Sequence, residues 1–393
     1  MLVEFSVTNF RSLKNRVSIS MLASTDKAHE SDLLTPTDNR RLLPLVSIHG
    51  ANAAGKSNVI LALQTMQSFI TGENAKLLKD EPLPFDPFAF DEQSKKTFTE
   101  YKIVFYYSNI KYSYRFAHDK NRILFEDLFH WPNGREALIF SRNNEKYVFR
   151  ENEKEQRILS GRTPENRLYF VTSNEWNLPQ TERAYKWFST KLFPYNDHVS
   201  PDITNFIRNK DDSLSKRITA ELRNADLGII GLRQIENSEE THPSQNILMI
   251  HETEANGVKS IFELDFLHES KGTQRFFSRI GPWISASEEG GILFVDELDS
   301  GLHPLMTRRL VEMIQDPCLN PKKAQLLFTT HDVLLMDLSL LRRDQIWFAE
   351  KDPLSLSTDL FSLWDFSARK DENIQKGYLQ GRFGAIPFFS SLS

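Results

Sequence analysis

The chain has 393 residues, 40% of them hydrophobic and 26% charged, with a formal net charge of −5. That balance belongs to a soluble globular protein of one large or two ordinary domains, and its acidic excess argues against a dedicated nucleic-acid binder unless a local basic patch exists. The one cysteine, Cys318, excludes an internal disulfide framework and fits a reducing cytoplasm; the opening residues lack a signal-peptide pattern, and no apolar run approaches the ~20 residues of a membrane span.

Residues 1–10 alternate apolar and polar and predict a strand, with 17–21 as its partner across a turn at Ser12-Leu13-Lys14-Asn15. The apolar run 42–48 predicts a further strand. It is followed at once by His49-Gly50-Ala51-Asn52-Ala53-Ala54-Gly55-Lys56-Ser57-Asn58 and then by the helical-looking 59–63. Strand, glycine-bounded loop and helix, with G-x-x-x-x-G-K-[ST] in the loop, is the context a P-loop requires. Small residues let the backbone N–H groups of 50–58 curl around phosphate oxygens, and the helix start adds a positive dipole end. Lys56 would reach the β- and γ-phosphates and Ser57 would hold Mg²⁺. A chance glycine loop is the competing explanation; the flanks and a matching downstream half weigh against it.

After the P-loop helix comes the Pro-rich Pro82-Leu83-Pro84-Phe85-Asp86-Pro87. Segments 101–107 and 110–116 flank Ser108-Asn109 as a hairpin, and 137–141 with 146–149 predict another around Asn143-Asn144. Region 174–226 reads as helical, with 181–193 and 213–224 as its better segments. Strand signals return at 229–235, 246–251 and 259–266, the last two joined through Ala255-Asn256-Gly257. From Gly290 onward strands and helices alternate, as in a parallel α/β sheet. There is no internal repeat, low-complexity tract or sustained heptad, and the tail 367–389 is punctuated by glycines without reading as disordered.

Gly291-Ile292-Leu293-Phe294-Val295-Asp296-Glu297 is an apolar strand ending in two carboxylates. A buried parallel strand places its C-terminal residues at the ligand edge of the sheet. Asp296 would orient Mg²⁺ through its water shell, and Glu297 would face the γ-phosphate and polarise the attacking water. The alternative is a surface strand ending in solvated acids, which five preceding apolar residues disfavour. Strand 325–330 ends at His331, placed to hydrogen-bond a γ-phosphate; a lone histidine there is more often structural, and the neighbouring motifs tip the balance. Upstream, Ser270 and Gly272 open a predicted helix and offer a hydroxyl and backbone N–H groups to an anion, although taken alone they read as an ordinary N-cap.

The order of these pieces, with Leu298-Asp299 after the carboxylates, resembles an ABC-type ATPase head. Asn9-Phe10-Arg11-Ser12 is similar to the N-terminal motif of SMC, RecF and OLD-type proteins, and by that likeness Arg11 would lie near the bound nucleotide. More closely, the chain resembles bacterial AAA-family proteins with an OLD/SMC-like ATPase domain, often linked to phage defence. Stretches 269–275, 296–304 and 370–387 carry that match.

The resemblance implies an α/β P-loop NTPase fold of ABC-head type, with a mixed sheet around the P-loop, an antiparallel β meander and an inserted helical region. One ATPase domain would fill 1–393: lobe I over 1–160, a mainly helical insert over 161–240 and lobe II over 241–393. It further implies Mg²⁺-dependent hydrolysis of ATP to ADP and phosphate by a homodimer, or a higher assembly, that sandwiches two nucleotides. Ser270, Gly272 and Thr273 of one copy would then contact the γ-phosphate held by the other, and Asp299 would communicate between the sites. The chemistry is electrostatic and positional.

Departures from the pattern are Glu269 where transporters carry Leu, and Lys271 and Thr273 in place of glycines or glutamine. No glutamine stands out as the Q-loop residue, Gln93 being a weak match. No heptad array exists for SMC arms, and no room follows His331 for the metal-binding Toprim domain of OLD nucleases, so a nuclease or Toprim-type effector would be a separate partner. Three functions compete: a dimeric ATPase switch gating an effector in antiviral defence; a RecF/SMC-like DNA-maintenance ATPase, which the charge does not indicate; and a nucleotide-sensing scaffold that does not hydrolyse, which the Asp296-Glu297 pair disfavours. A membrane role is not expected.

Overall fold

The computed structural model describes residues 1–195, 212–225, 228–234, 247–366, 368–369 and 372–387. The predicted helical stretch 196–211, the strand ends Ile235 and Asn246, and positions 367, 370, 371, 388 and 389 of the tail lie outside the described residues.

Period-2 alternation builds the first layer. Strands β1 (Leu2–Thr8) and β2 (Val17–Ser20) pair antiparallel, as the sequence predicts. Then follow β3 (Leu45–His49), α1 (Lys56–Thr71), β4 (Thr99–Tyr107), β5 (Ile110–His118), β6 (Ile123–Trp131), β7 (Ala137–Asn143) and β8 (Lys146–Phe149). Both predicted hairpins are present, and the meander closes a seven-stranded antiparallel sheet in the order β2-β1-β4-β5-β6-β7-β8.

Helices α2 (Glu153–Ser160), α3 (Tyr169–Glu175) and α4 (Pro179–Thr190) come next, then β9 (Leu192–Pro194) and α5 (Asp212–Asn224). The predicted helix 181–193 therefore ends at Thr190: Leu192 and Phe193 leave it to pair in parallel with Ile292 and Leu293 at a sheet edge. Strands β10 (Ile229–Gln234), β11 (Ile247–Ala255) and β12 (Val258–Asp265) form a separate three-stranded sheet.

The last segment contains α6 (Lys271–Glu289), β13 (Ile292–Val295), α7 (Pro304–Gln315), β14 (Gln325–Thr329), β15 (Ile346–Lys351), β16 (Thr358–Ser362) and α8 (Ile374–Leu379). These strands complete a mixed six-stranded sheet, β16-β15-β3-β14-β13-β9, in which only β16 runs antiparallel to its neighbour. The P-loop strand β3 thus lies between strands contributed from nearly 300 residues away, with Leu45 opposite Leu326 and Ile48 opposite Trp347.

Helix α1 is sandwiched between the two large sheets. Its buried Val59, Ile60, Leu63, Met66 and Phe69 meet Phe5, Val7, Tyr101 and Phe105 on one side and Val46, Ile48, Phe294 and Leu327 on the other. The opposite face of the six-stranded sheet presents Leu45, Leu293, Val295, Leu326 and Phe328 to Phe276, Phe277, Ile280 and Trp283 of α6. Each such side chain contributes about 2 kcal/mol of burial, so both faces of β3 are pinned. Gln325 joins the sheets: its Oε1 accepts from Leu2 N (2.6 Å), and its Nε2 donates to the carbonyls of Leu2 and Leu43 (both 3.1 Å). Among the described residues no helix is long and apolar enough to cross a membrane.

Candidate active site

Strand β3 delivers the chain to Gly50, whose φ of 146° belongs to glycine and where a Cβ would stand 2.3 Å from the Ala349 carbonyl oxygen. The loop turns again through Ala53 (φ 61°) and Gly55 (φ 99°) before α1 begins at Lys56. A Cβ at Gly55 would lie 2.2 Å from Thr358 Oγ1 and 2.6 Å from Ser12 Oγ. These left-handed positions curl the backbone into a nest of N–H groups at a helix start, a geometry that suits phosphate.

Lys56 is buried and donates from Nζ to the carbonyls of Gly50 (2.9 Å) and Ala51 (3.0 Å). Burial holds its ammonium below the ordinary lysine range, while Asp296, Glu297 and Asp299 pull it back upward. Ser57 is exposed on the wall of a cleft of about 780 Å³, lined by Ser12, residues 52–58, Glu297, His331 and Lys351.

The two carboxylates leave β13 as predicted. Thr329, at the end of the neighbouring β14, fixes both: its hydroxyl donates to Asp296 Oδ1 (2.5 Å) and accepts from Glu297 N (2.8 Å). Glu297 takes a φ of 52° and keeps a half-exposed carboxylate 4.0 Å from His331 Nε2. Asp299 Oδ1 accepts from Thr330 Oγ1 (2.7 Å) and His331 N (3.1 Å), tying the loop after β13 to the loop after β14. Beneath them His49 is fully enclosed, and burial pushes its imidazole down to about 3 against the upward pull of Asp299.

Residues 45–337 match the family described as "AAA domain, putative AbiEii toxin, Type IV TA system". The chain belongs to this AAA family. No curated protein matches the chain. A solved structure titled "Crystal structure of the SmcHead bound to the C-winged helix domain of ScpA" is similar at 14% identity, covering 92% of this chain and 97% of that one, with a TM-score of 0.44. The family and the strand order agree with the predicted class: a P-loop ATPase fold with a mixed sheet around the loop and an antiparallel meander.

The AAA domain places the other predicted residues away from this cleft. Arg11 (φ 50°) is held by Asp86 through its backbone N–H (2.8 Å to Asp86 O) and its guanidinium (3.5 Å to Oδ2), and does not line the cleft; its neighbour Ser12 does. Gln93 sits in the turn after Asp91, also off the cleft wall. Ser270 is the N-cap of α6: its Oγ accepts from Thr273 N (3.1 Å) and lies 2.8 Å from Thr273 Oγ1. A Cβ on Gly272 would meet nothing nearer than 3.8 Å, so the chain's own packing does not demand glycine there. Helix α6 is nevertheless tied to the carboxylate loop, since Arg279 donates to the carbonyls of Leu298 (2.5 Å) and Ser300 (3.3 Å).

Residues outside the P-loop also shape the cleft. A hydrogen-bond chain runs from the Asn58 amide through the hydroxyls of Ser12 and Thr358 to the Ala54 carbonyl (2.8, 2.7 and 2.8 Å). Ser12 belongs to the predicted turn and to the Asn9-Phe10-Arg11-Ser12 motif, whereas Thr358 and Lys351 arrive from the β15–β16 hairpin with no spacing signal. Thr329 was legible only as the polar end of a buried parallel strand.

The donor set fits Mg²⁺. Among the described residues no cluster of three His, Cys, Asp or Glu would enclose an ion by itself. The Ser57 hydroxyl and the Asp296 carboxylate would offer hard oxygen donors, and Mg²⁺ is bound by one or two such groups with phosphate and water completing the shell.

Proposed function

We propose that this AAA domain is a Mg²⁺-dependent ATPase, acting as a nucleotide-driven dimeric switch that controls a separate nuclease or toxin effector in antiviral defence. The observation that carries the reading is Glu297, held by Thr329 at the P-loop cleft with its carboxylate half exposed and His331 beside it. A cleft that only sensed nucleotide would have no use for a second carboxylate at that point.

In this reading the N–H groups of residues 50–58 and the Lys56 ammonium bind the β- and γ-phosphates. Ser57 and Asp296 hold Mg²⁺, which supplies charge neutralisation on the phosphates. Glu297 takes the proton of the attacking water, and His331 donates to a γ-phosphate oxygen. Ser270, Gly272 and Thr273 of a second copy close over the γ-phosphate, and Asp299 links the two sites. The open space around Gly272 supports this, because a glycine that its own chain leaves uncovered suits a close approach from outside. Arg11 acts from beside Ser12. The domain division into 1–160, 161–240 and 241–393 belongs to the same reading, as does a cytoplasmic location.

The family's description as a putative toxin of a type IV toxin–antitoxin system supports a role in such a system. If two copies build each site, phosphate release per chain in Mg-ATP will rise with protein concentration and then level off. A rate per chain that stays constant down to nanomolar protein would sink the two-copy site while leaving the ATPase.

A further inference from the structure

The P-loop strand has catalytic neighbours on one side only. In the order β15-β3-β14-β13, Glu297 and His331 follow β13 and β14, whereas Lys351 ends β15 on the other side of β3. A triphosphate whose terminal phosphate meets Glu297 must therefore leave its nucleoside at the end where Ser12 and Lys351 stand. Just beyond that end lies an aromatic ring that its neighbours leave largely uncovered. Phe90 is 64% exposed, and Lys351 Nζ is 5.8 Å from its ring centroid.

The ring is exposed but firmly mounted. Phe88, only 1% exposed, supports it edge-on with centroids 5.7 Å apart and planes at 69°. The loop carrying both is clamped by Asn9, a buried polar side chain at φ 55°. Its Oδ1 accepts from Phe88 N (3.0 Å), and its Nδ2 donates to the carbonyls of Ser94 (2.8 Å) and Phe98 (3.1 Å). Two residues on, Arg11 N donates to Asp86 O (2.8 Å), so the N-terminal turn and the Pro-rich loop move as one piece at the cleft's edge. A large apolar ring presented to water beside a phosphate cleft, on a loop anchored by Asn9, suits the stacking of a planar ligand.

Resting on the reading that the cleft binds a nucleoside triphosphate, we propose that Phe90 is its nucleobase platform, stacking on the base and favouring purines for their larger face. The Asn9 side chain is then a positioning group that presents the ring. Phe90 supplies affinity for the base and has no part in holding phosphate.

Calorimetric titration of the full chain with ATP and, separately, with inorganic tripolyphosphate tests this on wild type, Phe90→Ala and Phe90→Trp. Base stacking on an aromatic is worth roughly tenfold in affinity. ATP binding should weaken by about that factor in Phe90→Ala and be retained in Phe90→Trp, while tripolyphosphate binds all three alike. Equal ATP affinity in wild type and Phe90→Ala overturns the assignment, as does equal weakening of tripolyphosphate, which would make Phe90 part of the phosphate cradle. If wild type binds neither ligand, the triphosphate reading fails and takes the platform with it.

Discussion

Lys56→Ala is expected to abolish ATP binding at micromolar nucleotide and to lower hydrolysis on the order of a hundredfold or more, the loss typical of removing one preorganised electrostatic donor. Lys56 is the cation buried in the loop, braced on the carbonyls of Gly50 and Ala51 and facing the charges of Asp296, Glu297 and Asp299. Alanine leaves three carboxylates around a polyanionic triphosphate without the one ammonium buried in the loop. The fold should survive, because Ala is a good helix former at this first position of α1 and the truncated side chain leaves no buried charge behind. Fluorescent-nucleotide binding and phosphate release, read beside a thermal melt, check both halves. Hydrolysis at the wild-type rate by a folded Lys56→Ala chain would exclude the P-loop as the reacting site.

Glu297→Gln should have the opposite signature: ATP binds, but turnover falls by about 10² to 10⁴, the usual contribution of a general base. The substitution keeps the shape of the side chain and the bond from Glu297 N to Thr329 Oγ1, so the loop geometry persists. Only the ability to take a proton is lost. With hydrolysis blocked, a two-copy complex held by unspent ATP should accumulate and run at twice the monomer mass in light scattering, dispersing when nucleotide is removed. Normal turnover by Glu297→Gln would assign the base to another group, with His331 as the first candidate.

The parts of this site that were legible in the sequence share one property: the chemistry is carried by consecutive residues. Gly50 to Ser57 must curl around phosphate in one short loop, so the glycines and Lys56 fall at a readable spacing. Asp296 and Glu297 follow directly on an apolar strand. What was not legible depends on distant segments meeting. Thr329 acts on both carboxylates from the neighbouring strand, and Thr358 reaches the loop from across 300 residues of chain.

The fold divides in the same way. The hairpins at Ser108-Asn109 and around Asn144 were readable because turn and alternation agree locally. Strand β6 was missed since a bulge at Leu128–Phe129 breaks its period and buried Glu126 and Asp127 interrupt its apolar face. Glu126 is there to receive the backbone N–H groups of Tyr169 and Phe170 at the start of α3, a long-range reason that no local pattern carries. Phe193 was read as helical because the apolar spacing of α4 runs through it, whereas β13 claims it as an edge partner.

The composite site is tested most directly by mixing two inactive variants. Lys56→Ala lacks a working P-loop, and Ser270→Arg blocks the helix start that a second copy would present. In an equal mixture half of the two-fold pairs are unlike, and each unlike pair holds one intact site, so roughly a quarter of wild-type phosphate release should return. A mixture of two folded variants as inactive as either alone would contradict a site shared between copies.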